Sequence, residues 1–456
     1  MAFSHKRFVP KSLASLLATV AVFAAITFGG AALVTGPAFV FSDSMSYSIA
    51  AQRLIHTGTF EMNGIPELEV QSGPSAWTMP GYTLFLAPVY AAIGLTDDVL
   101  TNVERARPII CTLQYLLAVS SAVALAGCGF LIAGTKGAGI AGVLTALYLP
   151  LGINAMYIGT ETVAFFGTAL CLLCALLMLY ASSRKQALIW SVCYGIAGGI
   201  LVMVRPTILP WLVVPFLFFV WSRRKDLPTA AMTVGVWCMA VAVIMSPWII
   251  RNAVVFNQFI PLMTASSSPL LESTGATTFS SEEEEIARQA EQDGEDANRA
   301  VAHHRLMQRW QASRRNFVLW KIEALYASSI QYPHMPRANQ HMYTAIFDLP
   351  EKEREGYNLA VVESSRHQNP ERVGEKVLDW YTTWYHRVLL VGAFLGLVFS
   401  YKKRDAWLLA SLPLFFFAAH SYFLVEPRYL YYNVTAYVLL TTLGIVSVMG
   451  WAHARR

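Results

Sequence analysis

The sequence predicts an all-α polytopic membrane protein with about ten membrane-spanning helices, and three observations carry that reading. First, the 456 residues are 55% hydrophobic and only 14% charged, with a mean hydropathy of +0.44, an apolar excess foreign to water-soluble domains. Second, apolar runs recur at the length a helix needs to cross a hydrocarbon core of about 30 Å, roughly 20 residues. Third, the basic residues gather in short clusters between those runs. Helices rather than barrel strands follow, because lipid leaves no partner for unpaired backbone and the runs are continuous rather than alternating.

The first run, residues 12–36, follows the basic stretch HKRFVPK. It has the look of a secretion signal, but it is long and ends in GPAFVF without a small-x-small cleavage site, so it is read as the first span. Further spans are placed at 106–133, 137–156, 160–181, 186–204, 207–221, 229–250, 385–400, 406–424 and 429–451. The run GYTLFLAPVYAAIGL at 81–95 is too short to cross comfortably. If it does not cross, HKRFVPK, GTKG, SSRKQ, SRRKD, YKKRD and HARR all fall on one face, as the positive-inside rule requires. If it crossed, every later loop would change sides. It is therefore read as a helix lying in the outer interface, with both termini cytoplasmic. The chain then divides into a core over 1–256 with a first outer loop at 37–105, a long extracytoplasmic loop over 257–384, and C-terminal spans over 385–456.

Much of the remaining chemistry reads as structural. The net charge of +5 is distributed as topology signals, with no basic stripe interleaved with aromatics, so no nucleic-acid partner is expected. The six cysteines lie in apolar runs, and Cys171 and Cys174 in their Leu-rich surroundings read as packing residues rather than metal or redox ligands. In the long loop, Glu282 to Glu285 follow Ser280 and Ser281, which marks a capped helix start. His303 and His304 are adjacent, and neighbours in sequence do not share a helix face, so they make a poor metal site. His420 and Asn154 are the polar residues nearest a span interior, and a lone His there reads as packing.

On this topology Asp43, Glu161, Arg205, Arg251, Glu426 and Arg428 all fall at or beside the outer ends of spans, with Arg105 and Arg107 at the same level. Any one Arg at that depth is equally well explained as snorkelling. Together, acids and bases at a water–lipid boundary suit a substrate with a lipid tail and an anionic head, the shape of a polyprenyl-phosphate sugar.

The ordered segments SDSMSYSIAAQRLIHTG (42–58), MPGYTLFLAPVYAAIG (79–94), YIGTE (157–161), VRPTILP (204–210), SPWIIRNAVVFNQFIPL (246–262) and VEPRYLYYNVTAYVLL (425–440) resemble bacterial membrane glycosyltransferases of the GT-C superfamily. These are relatives of the protein O-mannosyltransferases and the lipid A aminoarabinose transferase. The resemblance covers most of the chain, apart from about 265–384. It departs at Ser44, where many relatives carry a second acidic residue after the Asp, and at the missing proline after Arg428-Tyr429.

The resemblance implies a GT-C-like core with interfacial helices in the first outer loop. It also implies inverting transfer of a sugar from a polyprenyl-phosphate donor to a hydroxyl of a lipid, glycan or protein acceptor, at the outer side of the cytoplasmic membrane. On it, Asp43 is the general base; local sequence alone reads the same residue as a helix N-cap, and both roles are compatible. Arg251, Arg428 and Arg205 are expected at the donor phosphate. Glu161 is expected either to assist the base or to pair with an Arg. Tyr47, Tyr82 and Glu426 are expected to line the substrate cavity, although an interfacial aromatic belt explains a lone Tyr equally. Pro80 and Gly81 are expected to shape the start of the interfacial helix. The scheme needs neither metal nor other cofactor; the related oligosaccharyltransferases, which use a divalent cation, raise Asp43 with Glu161 as a possible ligand pair. The competing functions are a lipid-linked sugar flippase or other transporter, and an O-antigen polymerase or ligase.

Overall fold

The computed structural model describes residues 11–35, 42–61, 73–264, 270, 274, 279–292, 296–330, 373–422 and 430–454. Among them, all regular structure is helical. The predicted positions Glu426 and Arg428 lie outside the described residues, as does the side chain of Asp43.

The helices are α1 (Lys11–Thr35), α2 (Ser42–Thr57), α3 (Gly81–Ile93), α4 (Val99–Ala146), α5 (Pro150–Asn154), α6 (Thr160–Leu179), α7 (Arg184–Val204), α8 (Val214–Ser222), α9 (Leu227–Phe256), α10 (Ser281–Gln292), α11 (Ala297–Ala312), α12 (Arg314–Ile330), α13 (Val373–Ser400), α14 (Arg404–Tyr422) and α15 (Asn433–Ala454). Seven helices among the described residues are long and apolar enough to cross a membrane, which makes the chain an all-α polytopic membrane protein.

Ten spans were expected, and the helices differ from them at three places: 137–156 and 207–221 are broken, each with a local cause, and the helix at 406–424, α14, is not among the seven. α4 contains two arms, because Ala133 and Gly134 leave helical geometry and Gly134 takes φ 69°, a conformation only glycine adopts without strain. The arms fold back so closely that a Cβ on Gly137 would stand 2.3 Å from the Gly129 carbonyl oxygen. The turn at 133–134 falls between the predicted spans 106–133 and 137–156, but 137–156 is itself split after Ala146, its second part being the short α5 opened by Pro150. The predicted span 207–221 is also broken. Pro206 and Pro210 reduce its first half to 3₁₀ turns at Pro206–Ile208 and Trp211–Val213, and α8 follows.

The chain forms two compact units, one comprising 1–263, 388–412 and 432–456, the other 264–387 and 413–431. In the first, α1 packs on α4, α4 on α6, α6 on α7, α7 on α9, and α15 on α4. Small residues permit the close approaches: a Cβ at Gly195 would meet Ala240 Cβ at 2.6 Å and one at Gly199 would meet Ile244 Cβ at 2.8 Å, so these two glycines seat α7 on α9.

The turns that carry three of the basic clusters meet at one end of this unit. Arg223 donates to the Ala181 carbonyl, Arg404 donates to Ser222 Oγ at 2.6 Å, Tyr180 donates to Asp405, and Lys403 donates to Ser447 Oγ at 3.1 Å. SSRKQ, SRRKD and YKKRD thus share a face, as the charge pattern predicts. Since α6 begins at Thr160 and ends beside Tyr180, its 20 residues place Glu161 about 30 Å away, at the opposite end. α3 has 13 residues and reaches only about 20 Å, too short to cross.

In the second unit, α10, α11 and α12 enclose a small core of Leu270, Ala287, Val301, Ala302 and Leu306, onto which Phe317 and Trp320 pack. Ser280 and Glu283 form a capping box: Glu283 N donates to Ser280 Oγ at 3.4 Å and Ser280 N donates to Glu283 Oε2 at 2.8 Å. Arg305 reaches the same carboxylate at 2.6 Å and 2.8 Å. His304 stands 3.5 Å from Glu282 and so serves the α10–α11 contact, while His420 stacks on Phe416 within α14.

Candidate active site

At the end of the first unit remote from the basic clusters, the starts of α2, α3 and α6 meet the end of α7. α7 stops at Val204 because Pro206 follows: the residue before a proline is pushed out of the helical region, and Arg205 is extended, with φ −142° and ψ 95°. That turn carries the Arg205 side chain to Glu161, whose Oε1 accepts from Arg205 Nη2 at 2.6 Å. Glu161 lies in the first turn of α6, whose N-cap, Gly159, has no side chain to satisfy the helix start. The Glu161 carboxylate folds back over it, so that a Cβ on Gly159 would stand 2.6 Å from Glu161 Oε2. Its negative charge is therefore stabilised both by Arg205 and by the helix N-terminus. Of the two roles expected for Glu161, pairing with an Arg is the one observed.

Gly81 explains why a glycine opens α3. A Cβ there would lie 2.5 Å from the carbonyl carbon and oxygen of Met203, so α3 rests directly on the backbone at the end of α7, two residues before Arg205. The next residue, Tyr82, is fully buried. Its hydroxyl donates to Gln114 Oε1 at 2.8 Å, and its ring meets Tyr47 of α2 edge to face at 5.1 Å. Burial, and then the negative charge of Glu161, hold the Tyr82 phenol well above its ordinary pKa, which makes it a hydrogen-bond donor and not a base. Tyr47 and Tyr82, both expected to line the cavity, are therefore brought together and lie near Glu161.

Asp43 is the second residue of α2, inside the first helical turn rather than ahead of it as an N-cap would be. Its neighbour Ser44 is buried and donates to the Ile158 carbonyl at 2.6 Å. α2 is fixed at its far end as well, where Asn102 Nδ2 donates to Gln52 Oε1 at 2.8 Å.

Arg251 has a different surrounding from the one expected of a phosphate ligand. Nη1 donates to the Ser75 carbonyl at 2.8 Å and to Asn252 Oδ1 at 2.9 Å, and Nη2 donates to the Phe60 carbonyl at 3.0 Å. The aromatic rings of Phe60, Trp248 and Phe256 surround it. Trp248 and Asn252 reach the carbonyls of Leu262 and Ile260 at 2.7 Å and 3.0 Å. The PWIIRN segment thus clasps backbone on both of its sides: the first outer loop through Arg251, and the stretch after α9 through Trp248 and Asn252. Sequence reading missed this use, and its signal is the run of donors Trp, Arg and Asn at one helix end. It also missed Gln114, a lone amide in an apolar run of the kind that marks a buried polar contact.

The fold is similar to that of solved archaeal oligosaccharyltransferases. Among solved structures, the chain is similar to the oligosaccharyltransferase of Archaeoglobus fulgidus tethered with an acceptor peptide, with a TM-score of 0.55 and 14% identity over 98% of this chain and 51% of that one. The archaeal oligosaccharyltransferase AglB in complex with an inhibitory peptide and a dolichol-phosphate matches at a TM-score of 0.53 and 13% identity, over 96% and 51%. ArnT from Cupriavidus metallidurans bound to undecaprenyl phosphate aligns over 98% of this chain and 79% of its own, with 13% identity and a TM-score of 0.41. The chain spans about half the length of the archaeal structures. No protein-family profile and no curated protein sequence matches it.

Proposed function

We propose that the protein is an inverting glycosyltransferase that moves a sugar from a polyprenyl-phosphate carrier to an acceptor hydroxyl at the outer face of the cytoplasmic membrane. The observation that carries this reading is the buried Glu161–Arg205 pair at the end of the core opposite the basic clusters, on a GT-C-like fold and beside the helix whose first turn holds Asp43. In the reaction, the acceptor oxygen attacks the anomeric carbon, its proton passes to the Asp43 carboxylate, and the bond from that carbon to the phosphate oxygen breaks. The leaving phosphate gains nearly a full negative charge as a diester becomes a monoester. A preorganised guanidinium aimed at that growing charge stabilises the transition state more than the ground state.

Arg205 and Arg428 are assigned to that phosphate. Glu161 holds Arg205 in place until the charge develops. Arg251, with its donors engaged by Phe60, Ser75 and Asn252, is assigned to the shape of the first outer loop. Tyr47, Tyr82 and Glu426 are assigned to the substrate cavity. A divalent cation fits the described residues poorly, because the guanidinium of Arg205 already occupies Glu161 Oε1; no step is routed through one. A second reading, transfer of a whole glycan from a lipid carrier, draws support from the oligosaccharyltransferase neighbours.

The test is transfer from a panel of radiolabelled lipid-linked donors, monophosphate and diphosphate, in membranes that hold wild type or Asp43→Asn at equal folded amounts. Transfer from a monophosphate donor that falls about 10²- to 10⁴-fold in the variant supports the proposal. Transfer only from a diphosphate glycan supports the second reading. Equal transfer by both proteins removes Asp43 as the base, and no transfer by either favours a flippase.

A further inference from the structure

The chain between α5 and α6 leaves helical geometry just before Glu161, and its carbonyls are collected by side chains of other helices. Gln114 Nε2 donates to Ala155 O at 3.0 Å and to Tyr157 O at 2.5 Å. Cys111 Sγ lies 3.2 Å from Met156 O, and Ser44 Oγ lies 2.6 Å from Ile158 O. Four successive carbonyls are thus held from outside the segment. Buried backbone oxygen needs such partners, and here two of the donors, Gln114 and Cys111, come from α4.

The third donor is Ser44, and it comes from α2. It is 1% exposed and belongs to the first turn of α2, one residue from Asp43. From these contacts we infer that Ser44 is a positioning residue: its hydroxyl fastens the turn that carries Asp43 to the Ile158 carbonyl, three residues before Glu161. The turn of α2 and the start of α6 are thereby held as one piece. An acidic side chain could not do this, since an ionised carboxylate has no proton to give a carbonyl. The inference rests on the reading of Asp43 as the base. It adds that Ser44 acts through Asp43 without touching substrate.

Four proteins test it: wild type, Asp43→Asn, Ser44→Ala and Ser44→Thr, compared by kcat and donor KM for transfer and by amide hydrogen exchange. The expected result for Ser44→Ala is a fall in kcat of about 10- to 100-fold, the range for a small misplacement of a reacting group. Donor KM stays within about twofold of wild type, because binding and orientation separate in this way. Exchange quickens in the first turn of α2 and at 158–161, and Ser44→Thr, which keeps the hydroxyl, restores kcat. If Asp43→Asn is inactive while Ser44→Ala keeps its kcat, the inference is wrong and the reading of Asp43 stands. Unchanged exchange in Ser44→Ala shows that the hydroxyl holds nothing, and also overturns it. Full activity of Asp43→Asn overturns the reading of Asp43, and the inference with it.

Discussion

Glu161 and Arg205 show how a pair separated by 44 positions is assembled from two local rules. A proline ends α7 and swings Arg205 outward, and a side-chain-free N-cap lets Glu161 fold over the start of α6. Both groups are largely buried, at 6% and 19% side-chain exposure, so removing one takes from the other its close ion-pair partner. Glu161→Gln is expected to destabilise the protein by about 3 to 5 kcal/mol. Glu161→Gln combined with Arg205→Met is expected to recover most of the loss, because both members of the pair are then neutral. Apparent melting temperature in detergent, followed for wild type, both single variants and the double variant, checks this; a double variant no better than Glu161→Gln would mean that the pair is not coupled. That Glu161 and Arg205 both fall at the outer ends of their helices was legible in the sequence. Which acid meets which base was not, because the pairing depends on the way α6 and α7 lie side by side.

At the scale of elements, the small helical bundle of the long loop is tied by Glu283. This carboxylate serves twice, in the capping box of α10 and in the bidentate bond from Arg305 of α11. Hydrogen bonding to Arg305 comes first among the causes that lower its pKa from 4.5 to about 2. A carboxyl depressed in the folded state contributes stability above its unfolded pKa and loses it as pH falls through the folded value. Glu283→Gln is therefore expected to destabilise the α10–α11 contact by about 2 to 3 kcal/mol near neutrality. The gap to wild type should close between about pH 4.5 and pH 2. Hydrogen exchange of α10 in the intact protein reads it, and a gap that persisted at low pH would exclude the ion pair as the cause. The capped start of α10 was readable from Ser280 and the acidic run, since capping is a local matter. The partner Arg305 was not, because it arrives from the next helix.

At the scale of the molecule, two ends of one helical core carry different chemistry. Tyr180, Arg223, Arg404 and Lys403 knit the basic turns together at one end, while Glu161, Arg205 and Tyr82 gather at the other. If the basic end faces the cytoplasm, a thiol at Lys402→Cys should react with an impermeant reagent only after the membrane is opened. A thiol at Glu284→Cys should react in intact spheroplasts. Both belong in a background with Cys193 and Cys238 changed to Ser, and the reverse labelling would invert the topology and with it the proposed outer-face site.

The sequence by itself determined the helical class, the face shared by SSRKQ, SRRKD and YKKRD, and an α3 too short to span a membrane. Those properties follow from run length, composition and neighbours within a few positions, which the chain states directly. Tertiary structure alone decided that Arg251 clasps loop carbonyls, that Arg205 pairs with Glu161, and that Ser44 reaches Ile158. Each of those outcomes depends on which backbone oxygen or carboxylate another part of the chain places within about 3 Å of a donor, the reach of a hydrogen bond.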